Sequence, residues 1–133
     1  MSFTDRQGLI ALRILIASQL VIHGAYRTLA GGVPPFGEWL GSRGLPGAGA
    51  IAIAITAIEI AGGLALIGGR WVRPLAAVFA VQLAVGIAMV HAPEGWFVVG
   101  GGRNGMEYSV VLIGGLIITG LTASTHRAAG NAR

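Results

Sequence analysis

Arg13, Gln19, His23 and Arg27 stand within a largely apolar run at positions 8–29, GLIALRILIASQLVIHGAYRTL. At 100° per residue they fall within an arc of about 120° on one helix. A charge at the centre of a bilayer costs about 3 kcal/mol even on lenient insertion scales. Such an arc is kept only where it faces protein, water or a ligand. A second apolar run, at 47–69, carries a single charge, Glu59. A lone carboxyl at mid-membrane is either neutral or paired. For a proton- or ligand-handling role its candidate partners are Arg13 and His23. The alternative is a clasp to Arg13 or Arg27 that holds helices together.

Rise per residue estimates the depth of each group. Arg13 lies roughly 8 Å inside one end of the first run, His23 roughly 9 Å below the other, and Arg27 near that second end. Glu59 falls between the heights of Arg13 and His23, and Gln82 also sits near the middle of its run. His91, Trp96, Glu107 and Tyr108 gather at the outer edge. The sequence thus offers a polar column, Arg13–Glu59–His23, opening into a cap of Arg27, His91, Glu107 and Tyr108. Each cap residue also has a plainer role. His91 ends a helix before Pro93 at a wet interface, Glu107 suits a helix N-terminus, and Tyr108 suits an aromatic belt.

Other chemistries are absent from the sequence. It has no GxSxG, HExxH, Walker motif or GxGxxG followed by an acidic residue, so an autonomous enzyme with a covalent nucleophile is not expected. There are no cysteines, which excludes disulfides, thiol redox chemistry, thiolate zinc sites and CxxCH haem attachment. A bis-histidine haem would have to use His23 and His91. His91 lies about half a turn from the Gln82 face, and two histidines do not by themselves define such a site. No metal site is expected.

The elements that must position these groups follow from composition. The 133 residues are 54% hydrophobic and 11% charged, with mean hydropathy +0.76, against about a quarter charged in soluble domains. Four apolar runs, at about 8–29, 47–69, 74–91 and 106–123, are each long enough to cross about 30 Å of hydrocarbon. There is no sustained two-residue alternation of apolar and polar residues, so strands are not expected. The expected fold is a single all-α domain over 1–133, an antiparallel bundle of four transmembrane helices.

The net charge is +4 and every cation is arginine. The arginines are scattered at helix ends rather than clustered, so no nucleic-acid partner is expected. Arg6, Arg70, Arg73, Arg127 and Arg133 fall on one side of four alternating spans. Arg43 and Arg103, balanced by Glu38 and Glu94, fall on the other. The positive-inside rule then puts both termini in the cytoplasm. A cleaved signal peptide is not expected, because the first run is too long, contains Arg13 and lacks a small-residue cleavage site. In the first outer connection Pro34-Pro35 is expected to stop the incoming helix. Phe36, Trp39 and Leu40 then suggest a short interfacial helix at 36–42, with an irregular loop as the alternative. The Gly100-Gly101-Gly102 run of the second outer loop reads as mobile. Ala57, Ala61 and Ala65 form one small-residue stripe, and Ala76, Ala80, Ala84 and Ala88 another, suited to close packing of membrane helices or to a homo-oligomer.

Arg13, His23-Gly24 and Arg27, then Leu45-Pro46, I-E-I-A-G-G at 58–63, Gly68 with Arg70, Ala92-Pro93 with Trp96, and N-G-M-E-Y at 104–108 together resemble the DoxX family. The order and spacing carry the resemblance along nearly the whole chain. A Gly-Pro-Gly-like turn usual after the family's fourth helix is replaced here by Gly120-Leu-Thr-Ala-Ser-Thr-His. The resemblance implies a four-helix bundle in a bacterial or archaeal cytoplasmic membrane, with a loose link to quinone-linked oxidoreduction.

Two functional readings follow. In the first, the chain is an accessory or quinone-handling subunit of a membrane oxidoreductase. His23, Arg27 or Gln82 would donate to quinone oxygens, Glu59 would exchange a proton, and a redox protein partner would supply electrons. In the second, it is a non-enzymatic membrane module that binds a lipid or small amphiphile, or assembles another membrane protein. A transporter has little support, because four helices show no inverted repeat.

Overall fold

The computed structural model describes residues 3–99 and 104–130, with side chains at 4–99 and 104–123. The described residues are helical, with short connections and no strands. Helix α1 spans Phe3–Leu29, α2 Val33–Ser42, α3 Ala48–Ile67, α4 Val72–Gly86 and α5 Glu107–Gly130. Past Gly86 the chain continues as a π turn, Ile87–His91, and a 3-10 turn, Ala92–Glu94. Three stretches, Thr4–Leu29, Ala48–Ile67 and Val72–Glu94, are long and apolar enough to cross a membrane. The apolar part of α5, Glu107–Ala123, is shorter. Helix α3 is apolar nearly all round, the composition of a helix whose every face meets protein or lipid.

The boundaries differ from the sequence expectation in instructive ways. Pro34 and Pro35 do not stop α1; they lie in the first turn of α2, where a missing N–H costs nothing and a fixed φ favours the helix. What ends α1 is glycine. Gly31 adopts φ +67, and the N–H groups of Gly31 and Gly32 donate to the carbonyls of Thr28 and Arg27 at 3.2 and 2.8 Å. This is the Schellman arrangement, which needs a left-handed residue just past the helix. The short helix expected at 36–42 therefore begins three residues earlier. Helix α5 runs on to Gly130 rather than ending at 123. The Gly100–Gly102 run lies outside the described residues, as do the side chains of Arg103, Arg127 and Arg133 that entered the charge argument.

The chain divides into two compact units. One comprises Ala17–Arg70, and the other Met1–Ile16 with Trp71–Arg133. In the first, the later half of α1 runs antiparallel to α3. A Cβ at Gly24 would lie 3.0 Å from the Glu59 Cβ and 3.2 Å from the Thr56 carbonyl oxygen, while one at Gly63 would lie 2.6 Å from Val21 Cγ2. Close backbone approach at both points is the geometry small residues allow between membrane helices. Helix α3 buries Ala52, Thr56, Glu59, Gly62, Gly63 and Leu66 on this side. The stripe Ala57–Ala61 is exposed, and Ala65 is half-buried. Helix α2 packs on α3 through the buried Gly37 and Leu40.

In the second unit α4 packs on α5. Phe79 and Leu116 are fully buried, and Ala76 lies against Gly120. Of the α4 alanine stripe, Ala76 is buried, Ala80 half-buried, and Ala84 and Ala88 exposed. The segment before α5 is strapped to its first turn. Met106 and Glu107 donate backbone N–H groups to the carbonyls of Gly95 and Trp96, each at 3.1 Å.

Replacing Gly24 by leucine should lower stability by about 1–3 kcal/mol through overpacking. Gly114→Ala, where an added Cβ meets nothing, should be neutral or stabilising by up to about 1 kcal/mol. Thermal unfolding of the two variants in mild detergent, followed by circular dichroism, measures the contrast.

Candidate functional site: a buried arginine–glutamate pair

Glu59 sits on the buried face of α3, one turn beyond Thr56, and both side chains are nearly inaccessible. Across from them, Arg27 Nη1 donates to Glu59 Oε2 at 2.7 Å and to Thr56 Oγ1 at 2.9 Å. The side chains of this ion pair are 13% and 5% exposed. The Thr56 hydroxyl is used twice. It accepts from Arg27 and donates to the Ala52 carbonyl at 2.8 Å, within its own helix. Gly24, one turn before Arg27, is the residue whose missing side chain lets α1 approach Glu59.

Helix α2 covers the pair. The Arg27 guanidinium carbon lies 4.6 Å from the centre of the Phe36 ring. Phe36 stacks on Trp39 at 6.3 Å and 14°, and Arg43 lies 5.2 Å from the Trp39 ring. Two aromatic rings are thus held between two guanidinium groups, each contact favoured by the negative ring face. The guanidinium has five N–H donors. Nη1 meets Thr56 and Glu59, so Nε and Nη2 are what Arg27 can offer a ligand oxygen.

His23 is exposed on α1, and Arg13 is half-buried on the same helix. The 120° arc therefore straddles a boundary, with its two arginines turned toward the protein and Gln19 and His23 turned outward. Gln82 is half-buried on α4. His91, Glu107 and Tyr108 belong to the unit containing α4 and α5. His91 Nδ1 lies 2.8 Å from the Asn104 carbonyl oxygen. Since a carbonyl only accepts, Nδ1 is the donor in this contact. Glu107 Oε1 accepts the Val98 backbone N–H at 3.1 Å, while Tyr108 is exposed. Thr56 and Phe36 were not expected in the site. Thr56 was detectable as a hydroxyl three residues before Glu59, hence on its face. No group of three or more His, Cys, Asp or Glu side chains suited to a metal occurs among the described residues.

Helices through the described residues, three membrane-length apolar stretches and an ion pair buried between two helices define a membrane protein. The family model described as DoxX matches residues 8–92, and the chain belongs to that family. The matched segment contains Arg13, His23, Arg27, Glu59 and Gln82, and stops before the N-G-M-E-Y segment at 104–108. No curated protein and no solved structure matches the chain.

Removing one partner of a buried pair leaves an uncompensated charge. Arg27→Leu should cost about 3–5 kcal/mol. The double substitution Arg27→Leu/Glu59→Leu should recover most of the loss, because the charge is then gone. Unfolding of the purified protein by increasing denaturing detergent, compared across the three variants, reads this directly.

Proposed function

We propose that this DoxX protein is an accessory subunit of a membrane oxidoreductase and handles a quinone at the Arg27–Glu59 pair. The observation that carries the reading is an ionisable carboxyl held on a membrane-length helix by an arginine with donors to spare. Intramembrane ionisable groups are by default functional. Reducing a quinone takes two electrons and two protons. The chain has no described electron carrier, so both electrons are assigned to a redox protein partner. Its own residues bind and move protons: Arg27 Nε or Nη2 donates to a quinone oxygen, and Glu59 exchanges a proton as charge develops there. The family resemblance to quinone-linked systems supports the same reading.

In this proposal α1, α3, α4 with its following turns, and α5 are four spans of a bundle in a bacterial or archaeal cytoplasmic membrane, with both termini cytoplasmic. Helix α2 lies in the outer interface, as its Phe36, Trp39 and Arg43 suit. A second reading has its own support. Arg27 Nη1 is already engaged by Glu59 and Thr56, and Gly24 packs against Glu59, as expected of an internal clasp in a non-enzymatic membrane module that scaffolds a partner or holds a lipid.

Glu59→Gln in the intact native complex separates the two. It should cut quinone-coupled turnover by about a hundredfold or more while the complex keeps its composition. Unchanged turnover sinks the quinone role and favours the clasp. For topology, the cysteine-free chain allows a single Ser42→Cys variant to be labelled in whole cells. An impermeant maleimide should reach it from outside; labelling only after lysis reverses the orientation.

A further inference from the structure

Helix α1 carries a second face that the buried pair does not use. Gln19, Ile22, Tyr26 and Leu29 are spaced by three, four and three residues, the repeat of a left-handed helix seam. All four are exposed, Ile22 at 59%, Tyr26 at 73% and Leu29 at 88%. His23, beside them, is exposed too. Among the described residues, Gln19 and His23 take no side-chain hydrogen bond. Glutamine facing hydrocarbon leaves a primary amide without the partners water would give it, at a cost of a few kcal/mol.

We propose that this face of α1 is the interface with a second copy of the same chain in the membrane. Two copies inserted by the same rules share one orientation, so their α1 helices run parallel, and a two-fold axis along the membrane normal brings like residues together. Gln19 then meets Gln19 at equal depth. An amide has both donors and acceptors, so the residue is its own complement. No formal charge lies on the seam from Gln19 to Leu29, so identical faces meet without repulsion. Lipid offers Gln19 no hydrogen bond, and a different protein would need its own polar group at that depth. A single polar position within an apolar seam also fixes register and copy number. The proposal is independent of the quinone reading.

The test uses the purified full chain in vesicles of native lipid composition. Oxidation of an Ile22→Cys variant should give a covalent dimer, whereas Ala61→Cys, exposed on α3, should not. Adding Gln19→Leu should weaken dimerisation about three- to thirtyfold, read by single-molecule photobleaching over a range of dilutions. Gln19→Asn should largely preserve it. Circular dichroism of each variant establishes that the helices are intact, and leucine at an exposed apolar seam does not threaten folding. Single-step bleaching at every dilution overturns the proposal. So does a dimer unmoved by Gln19→Leu, or one cross-linked equally well through Ala61→Cys.

Discussion

The first compact unit depends on one constraint: a charge within an apolar span must be matched at its own depth. Arg27 and Glu59 meet this for each other at 2.7 Å. The requirement propagates. For the two side chains to meet, α1 and α3 must approach closely, and glycine at 24 and 63 permits it. For Glu59 to share the arginine, a hydroxyl one turn earlier accepts a second N–H. For the guanidinium to be shielded on its remaining side, an aromatic ring must cover it, and α2 supplies Phe36. A buried ion pair is weak evidence of stability in itself. Here it works as a specification, since few arrangements of α1, α2 and α3 satisfy all its partners together.

The all-helical architecture was legible because it rests on length and hydropathy, which a membrane makes almost decisive: a spanning segment must satisfy its own backbone. Even the alternating A-I-A-I-A-I at 50–55, which has the strand period, is helical. Alanine and isoleucine are both apolar, so the alternation marks no wet face. The helix ends were less legible. Two prolines drew attention as a stop, while the residue that ends α1 is a glycine two positions past it, adopting a conformation other residues avoid.

The pairing within the site was legible only as a choice between partners. Depth by rise per residue put Arg27 near a helix end and Glu59 near the middle, and so favoured Arg13 and His23 for chemistry. That estimate tracks backbone positions, whereas side chains lean toward the N-terminus of their own helix. Because α1 and α3 are antiparallel, Arg27 leans down its helix and Glu59 leans the opposite way along its own, so the two converge. Arginine's length closes the remaining gap. His23, only four residues earlier, lies inside the same arc between Arg27 and Gln19, and a rotation of about 40° on the wheel separates a residue facing protein from one facing out. A helical wheel ranks residues by angle but does not mark where the boundary falls; the neighbouring helix does.

The π turn at Ile87–His91 has a consequence for chain length. A turn closed over five residues takes up one residue more than an α turn, so the residues beyond it face as they would on a plain α-helix one residue shorter. The same residues wound as plain α-helix would carry His91 about 100° further round, away from the Asn104 carbonyl that lies 2.8 Å from its Nδ1. That contact thus rests on the form of the turn as well as on the identity of its residues. A substitution that restores plain α-helix at 87–91 disturbs it more than a single deletion there, which the helix closes over.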